Sequence, residues 1–230
     1  MARLPRLTLP GQPHYVVQRG NNLQAIFMDT QDYASMKDLL REMARRFGVD
    51  IHAFILLPNQ LHLLVTPETA YSLPQFMQSV GRTYVRTFNN RHGRSGTLWE
   101  GRYRATVLEP QAWMLPAMVV LESQAVQQGA ASRAVDYGWS SARHNAGAQV
   151  DGMVRLHPAY WRLGDTPFAR EAAYALMLDR GATEDITEVV LGAAMKGWVL
   201  GGDSFVQGLQ QRTERRLSRQ RAGRPVAERS

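Results

Sequence analysis

The 230-residue sequence contains no cysteine, which excludes disulfide staples and thiolate metal sites and suits a reducing cytoplasm. Lysine is nearly missing too: Lys37 and Lys196 are the only two. Long apolar runs are also absent. In the opening stretch MARLPRLTLPGQPHYVV, Pro5, Pro10 and Pro13 interrupt every apolar series, so it reads as neither a secretory leader nor a membrane span. No later segment is long and apolar enough to cross a bilayer. These absences lead to the expectation of a cytoplasmic protein with no membrane partner.

Arginine, by contrast, is abundant. The net charge is +7 and the sequence pI about 10.1, carried almost wholly by guanidinium groups. Arginine grips phosphate oxygens in a planar, two-pronged way, so this balance points to a nucleic-acid partner and a nucleoid-associated location. A GC-rich genome explains arginine in place of lysine, but neither the excess of positive charge nor its clustering. Hydrophobic residues make up 44%, enough for a true core.

Periodicity then sets out the elements. Residues 14–18 (HYVVQ) alternate as a strand and end in the turn Arg19-Gly20-Asn21-Asn22. Asp29 or Thr30 caps a helix to Phe47, with Met36, Leu39, Leu40, Met43 and Phe47 on one face and Gly48 as its stop. Two apolar strands follow at about 50–57 and 61–66, separated by Pro58-Asn59-Gln60. Ser72 opens a helix to Arg91 with Phe76, Val80, Tyr84 and Phe88 at helical spacing. A glycine-rich basic loop at 92–102 leads to a strand near 103–108 and a third helix over 111–128. The first six elements, β-α-β-β-α-β, match an α+β ferredoxin-like antiparallel sheet with helices on one face. The expected organisation is a domain at 1–130, an irregular arm at 131–163, helices at about 167–181, 183–197 and 203–218, and a disordered basic tail at 219–230.

Two charge clusters stand out. Segment 81–104 (GRTYVRTFNNRHGRSGTLWEGRYR) carries Arg82, Arg86, Arg91, Arg94, Arg102 and Arg104 against the single acid Glu100, interleaved with Tyr84, Phe88, Trp99 and Tyr103. Guanidinium groups for the backbone and aromatic rings on which bases stack are what single-stranded or hairpin DNA binding needs. Tyr84 and Phe88 lie on the apolar face and read as core, which leaves the arginines and Trp99 as the candidates. The same features would serve RNA. The second cluster is segment 212–230, with seven arginines against Glu214 and Glu228. Its Gly223-Arg224-Pro225 suits either an extended arm in a minor groove, with Arg224 as the contact, or a solvated tail.

Four stretches in order, HYVVQRGNN, FGVDIHAFILLPNQLHLLV, GRTYVRTFNNRHGRSGTLWEGRYR and DYGWSSAR, resemble the REP-associated tyrosine transposases. These belong to the HUH class of single-strand insertion-sequence transposases, and the resemblance runs from about residue 3 to the end. It implies a nuclease-type ferredoxin fold that binds imperfect palindromes folded as hairpins and cuts one strand beside them, with Arg19 and Asn21 of the first turn near the DNA. It also implies a homodimer or a monomer. The family's chemistry uses two histidines flanking a bulky apolar residue to hold Mg or Mn, a tyrosine on the third helix as nucleophile, and a polar residue one helical turn later as a further metal ligand.

This chain departs from that pattern twice. The metal motif reads Gln60-Leu61-His62, with a neutral amide for the first imidazole. In the third helix Glu122, Val126 and Gly129 set the register, so Val120 falls where the tyrosine belongs and Gln124 where the last ligand belongs. No catalytic residue can be assigned. Neither Tyr84 nor Tyr103 projects from that helix, and a displaced hydroxyl seldom reaches attack geometry. His62 is open to two readings, core residue or surviving ligand, and the other histidines have no metal spacing. The expectation is a DNA-binding protein with nicking lost or strongly impaired. The rivals are metal-dependent cleavage through another nucleophile or water, and a remnant that binds DNA weakly without hairpin preference.

Overall fold

The computed structural model describes residues 6–218; the tail with Gly223-Arg224-Pro225 lies outside the described residues. The strands are β1 (His14–Arg19), β2 (Val49–Leu57), β3 (Gln60–Pro67) and β4 (Arg104–Val107), in the spatial order β2-β3-β1-β4 with every pair antiparallel. Helices α1 (Thr30–Phe47) and α2 (Ser72–Arg91) make the two ferredoxin-like crossovers. Local chemistry fixes their ends. The Asp29 carboxylate accepts from the Gln31 and Asp32 amides at the start of α1, and Gly48, at φ 62°, ends it in a left-handed conformation that disfavours a side chain.

Alternation along the strands creates two apolar faces. Val16, Phe54, Leu56, Leu61, Leu63 and Val65 pack against α1 and α2, whose Met36, Leu40, Phe76, Val80, Tyr84 and Phe88 are buried. Tyr15, Val17, Ile55, Leu57 and Leu64 point the other way. That second face is covered by α3 (Pro110–Glu122), followed by the short helices α4 (Gln124–Gln127), α5 (Ala142–Asn145) and α6 (Pro158–Trp161), and by α7 (Pro167–Arg180) and α8 (Glu184–Lys196). The C-terminal helices therefore bury a sheet face that α1 and α2 leave bare.

The 131–163 arm runs along the outer edge of β2. Leu56 N–H donates to Trp139 O, Ser141 N–H to Phe54 O and Arg155 N–H to Ile51 O, so the arm takes up backbone groups an edge strand would otherwise offer to another chain. At its centre the Glu122 carboxylate is fully buried. It accepts from Ser141 Oγ, Asn145 Nδ2 (2.7 Å) and Tyr174 Oη (2.7 Å), tying α3 to α5 and α7.

Two elements differ from the sequence expectation. The third helix breaks at Ser123, and just beyond the break the Gln124 side-chain amide donates back to the Val120 carbonyl (3.2 Å). The last helix, α9 (Asp203–Gln210), is shorter than the 203–218 expected. Beyond it the Gln210 amide donates to the carbonyls of Thr213 and Arg215, and the turned chain buries Leu217 against Leu7 and Leu9. Among the described residues no helix is long and apolar enough to cross a membrane.

Candidate nucleic-acid interface

The face of the sheet under α3 holds the sequence-nominated chemistry. His62 lies opposite Val17 on one side and Ile55 on the other, and Gln60 opposite Arg19 and Leu57, so all of these share one face. His62 is buried. Its Nδ1 lies 2.8 Å from the Tyr15 hydroxyl, and its Nε2 is buried with no partner. Whichever tautomer the ring adopts, one nitrogen faces no complement. Burial, aided by the nearby charge of Arg19, pushes the His62 pKa down from 6.5 to about 3, so the ring is neutral. Val120 is fully buried in the same apolar cluster as Tyr15, Val17 and Ile55. Gln124 is buried with its amide nitrogen committed to Val120 O and to Gln127 Oε1 (2.9 Å).

These residues do not fit a divalent cation. The orphaned Nε2 of His62 is one suitable donor. Gln60 and Gln124 supply neutral amides, and the positive charge of Arg19 acts on the same spot. Among the described residues no group of three or more histidine, cysteine or acidic side chains is arranged to hold a metal. Three tyrosine hydroxyls bear on the nucleophile that the family resemblance calls for. Tyr15 touches His62 but is wholly buried, with its pKa pushed far up by that burial. Tyr84 donates to Ile26 O, and both Tyr84 and Tyr103 belong to the opposite apolar cluster.

The arginine-rich segment separates into two groups. Arg91 is a clamp: it binds Asp29 and Asp32 at the α1 N-terminus, while His92 Nε2 lies 2.9 Å from Asp32. Arg94 reaches Gln24 Oε1 (2.7 Å) and lies over the Phe88 ring. These two hold the basic loop down. Arg82, Arg86, Arg102 and Arg104 are exposed and make no ion pair among the described residues.

Three of these four gather around the start of β4. A groove of about 400 Å³ has Met77, Trp99 and Tyr103 in its wall and Arg82 and Arg102 at its border. Trp99 is half-committed to the core, its Nε1 donating to Gly81 O and its ring beside Tyr84, so it offers part of its surface. A smaller concavity joins Arg19, Arg102 and Arg104 on the adjoining side, with Arg19 held by both oxygens of Glu100 (2.7 and 2.9 Å). The turn after β1 is pinned to this loop, since Asn21 N–H donates to Leu98 O and Glu100 N–H to Arg19 O. The sequence reading missed Arg6, which donates to Tyr103 O and lies 4.0 Å over the Tyr103 ring. Nothing local marks it, because its partner stands 97 positions away.

The strand order and the two helical crossovers define a ferredoxin-like α+β protein. Residues 12–113 match the family model described as IS200-like transposase, so this segment of the chain is similar to that family. A solved REP-associated tyrosine transposase bound to a REP hairpin is 16% identical and superposes with a TM-score of 0.53, covering 69% of this chain and 93% of that one. At that identity the likeness is one of fold. A protein from Deinococcus radiodurans R1 assigned as a transposase is 18% identical with a TM-score of 0.37, covering 56% of this chain and 95% of that one. No curated protein matches the chain by sequence.

Proposed function

We propose that this protein binds single-stranded or hairpin DNA and has lost the family's strand-nicking chemistry. The observation that carries the reading is a contrast between two surfaces of one domain. Val120, which the family resemblance aligns with the nucleophile, is fully buried inside an apolar cluster. The arginines around the start of β4 remain exposed beside an aromatic-walled groove. Guanidinium groups neutralise phosphates, and the groove accepts an unstacked base. The hairpin held by the structurally similar transposase supports the choice of DNA form. Such a protein would act as a palindrome-binding regulator, as a monomer or a homodimer.

The test uses hairpin oligonucleotides from the flanks of the protein's own gene, with Mg or Mn and with EDTA. Hairpin-selective binding without cleavage or covalent adduct is expected. Replacing Arg82, Arg102 or Arg104 by alanine should each weaken binding by roughly tenfold or less and lower the salt slope by about 0.7–0.9. Metal-dependent nicking would establish the rival reading, cleavage through another nucleophile.

A further inference from the structure

A second basic concavity lies beside the first. It is about 630 Å³, and its wall combines Arg6 and its neighbours Leu7, Thr8 and Leu9 with the chain that follows α9, bearing Arg212, Arg215 and Arg216. Four arginines face one acid, Glu214. Arg6 belongs to both concavities, so positive charge continues from the β4 groove, over the Tyr103 ring, to the C-terminal turn.

This turn is fixed in place. Leu217 packs with Leu7 and Leu9, Val199 N–H donates to Leu217 O, and the Arg215 guanidinium donates to Gly197 O. Arg215 Nε is buried without a partner inside this arrangement, and burial lowers the Arg215 pKa. Arg215 therefore keeps one buried donor without an acceptor, in a concavity whose wall also carries the exposed Arg212. The spacing along the chain also matters: Arg212 and Arg216 are exposed on either side of Arg215, as a linear polyanion would require.

We propose that the 211–217 turn extends the nucleic-acid track beyond the nuclease-like domain, taking the phosphodiester backbone of a single DNA strand that leaves the β4 groove past Arg6. The inference rests on the DNA-binding reading above. It assigns the C-terminal region a role in contact with the strand, in addition to covering the sheet.

The test compares three probes: a blunt hairpin, the same hairpin with a single-stranded extension at either end, and unstructured oligothymidylate. Each is titrated over a salt series against the wild-type chain, Arg212→Gln/Arg216→Gln and the charge-matched control Arg45→Gln/Arg46→Gln. The extension should tighten wild-type binding by about tenfold and steepen the salt slope by about 1.4, two single-strand phosphates at about 0.7 each. The Arg212→Gln/Arg216→Gln protein should lose that gain and keep its affinity for the blunt hairpin. The control should keep both. An extension that adds nothing, or a gain the double variant retains, overturns the proposal. If the wild-type chain ignores the blunt hairpin, hairpin recognition fails, and the oligothymidylate arm then decides the track by itself. Equal binding of that probe by wild type and double variant would overturn it. Matching circular dichroism melts show that the variants are folded.

Discussion

The Tyr15 hydroxyl meets His62 Nδ1 at 2.8 Å where neither side chain reaches solvent. His62 is therefore joined to the core by a neutral hydrogen bond. Tyr15→Phe should leave both ring nitrogens unpartnered and cost about 1–3 kcal/mol in urea unfolding. Hairpin affinity should stay unchanged. A loss of DNA binding without loss of stability would mean that this face still serves the ligand. The His62 pKa of about 3 is below the ordinary 6.5, so its contribution to stability is complete above pH 6.5 and is lost as pH falls toward 3. His62→Leu should accordingly flatten the acid side of the stability profile by about 1.4 kcal/mol per pH unit across that window.

Val120 offers a direct way to ask whether an open active site persists. In an open site, a tyrosine at this position would cost nothing. In the packed cluster seen here, with Val120 fully buried among Tyr15, Val17 and Ile55, the extra ring must displace neighbours. Val120→Tyr should cost about 1–3 kcal/mol, read as a lower urea midpoint. It should yield no covalent adduct with a hairpin, even when combined with Gln60→His. A variant as stable as wild type would refute the packed-core description.

Arg91 and Arg86 lie on the same helix, five positions apart, and their surroundings assign them different jobs. Arg91 binds Asp29 and Asp32, of which Asp32 is buried and also accepts from Met28 N–H. Removing Arg91 takes the guanidinium from that carboxylate, leaving it His92 and the Met28 amide, and loosens the α1 N-terminus from the basic loop. Arg91→Ala should lower the melting temperature, while Arg86→Ala should leave it unchanged. Hydrogen exchange at the Gln31 and Asp32 amides, which Asp29 caps, should quicken only in the first variant. Equal melts would show that the Arg91 clamp adds nothing.

Where causes were local, the sequence already disclosed the fold. Asp29 and Gly48 mark the ends of α1 because a cap carboxylate and a left-handed glycine act within a few residues. The strands alternate because each face is buried separately. What stayed hidden depends on groups distant in sequence. The break at Ser123, where the Gln124 side chain turns back on Val120 O, leaves no mark in the apolar periodicity. The commitment of Arg91 needs Asp29 and Asp32, about sixty positions earlier. Charge clustering nominated Arg91 and Arg102 alike, since composition cannot separate a clamp from a free guanidinium. The cover that α3, α7 and α8 give the second sheet face was equally out of reach of local periodicity.

Glu122 ties α3 to α5 and α7, and its titration makes the link measurable. Burial raises its pKa from 4.5 to about 7, outweighing the donors Ser141, Tyr174 and Asn145, which act in the opposite sense. The folded protein thus holds a proton that the unfolded chain releases between those values. Its contribution to stability is complete below pH 4.5 and is lost as pH rises through 7, roughly 3 kcal/mol over the full span. Glu122→Gln cannot ionise, so it should be less stable than wild type at pH 5 and gain on it steadily toward pH 8. Glu122→Ala leaves three buried donors unsatisfied and should cost about 3 kcal/mol even at low pH, where the charge is absent. Urea unfolding of all three proteins at pH 5, 6.5 and 8 separates the two effects. A constant difference between wild type and Glu122→Gln would mean that the carboxylate stays ionised in the fold, held by its three donors alone.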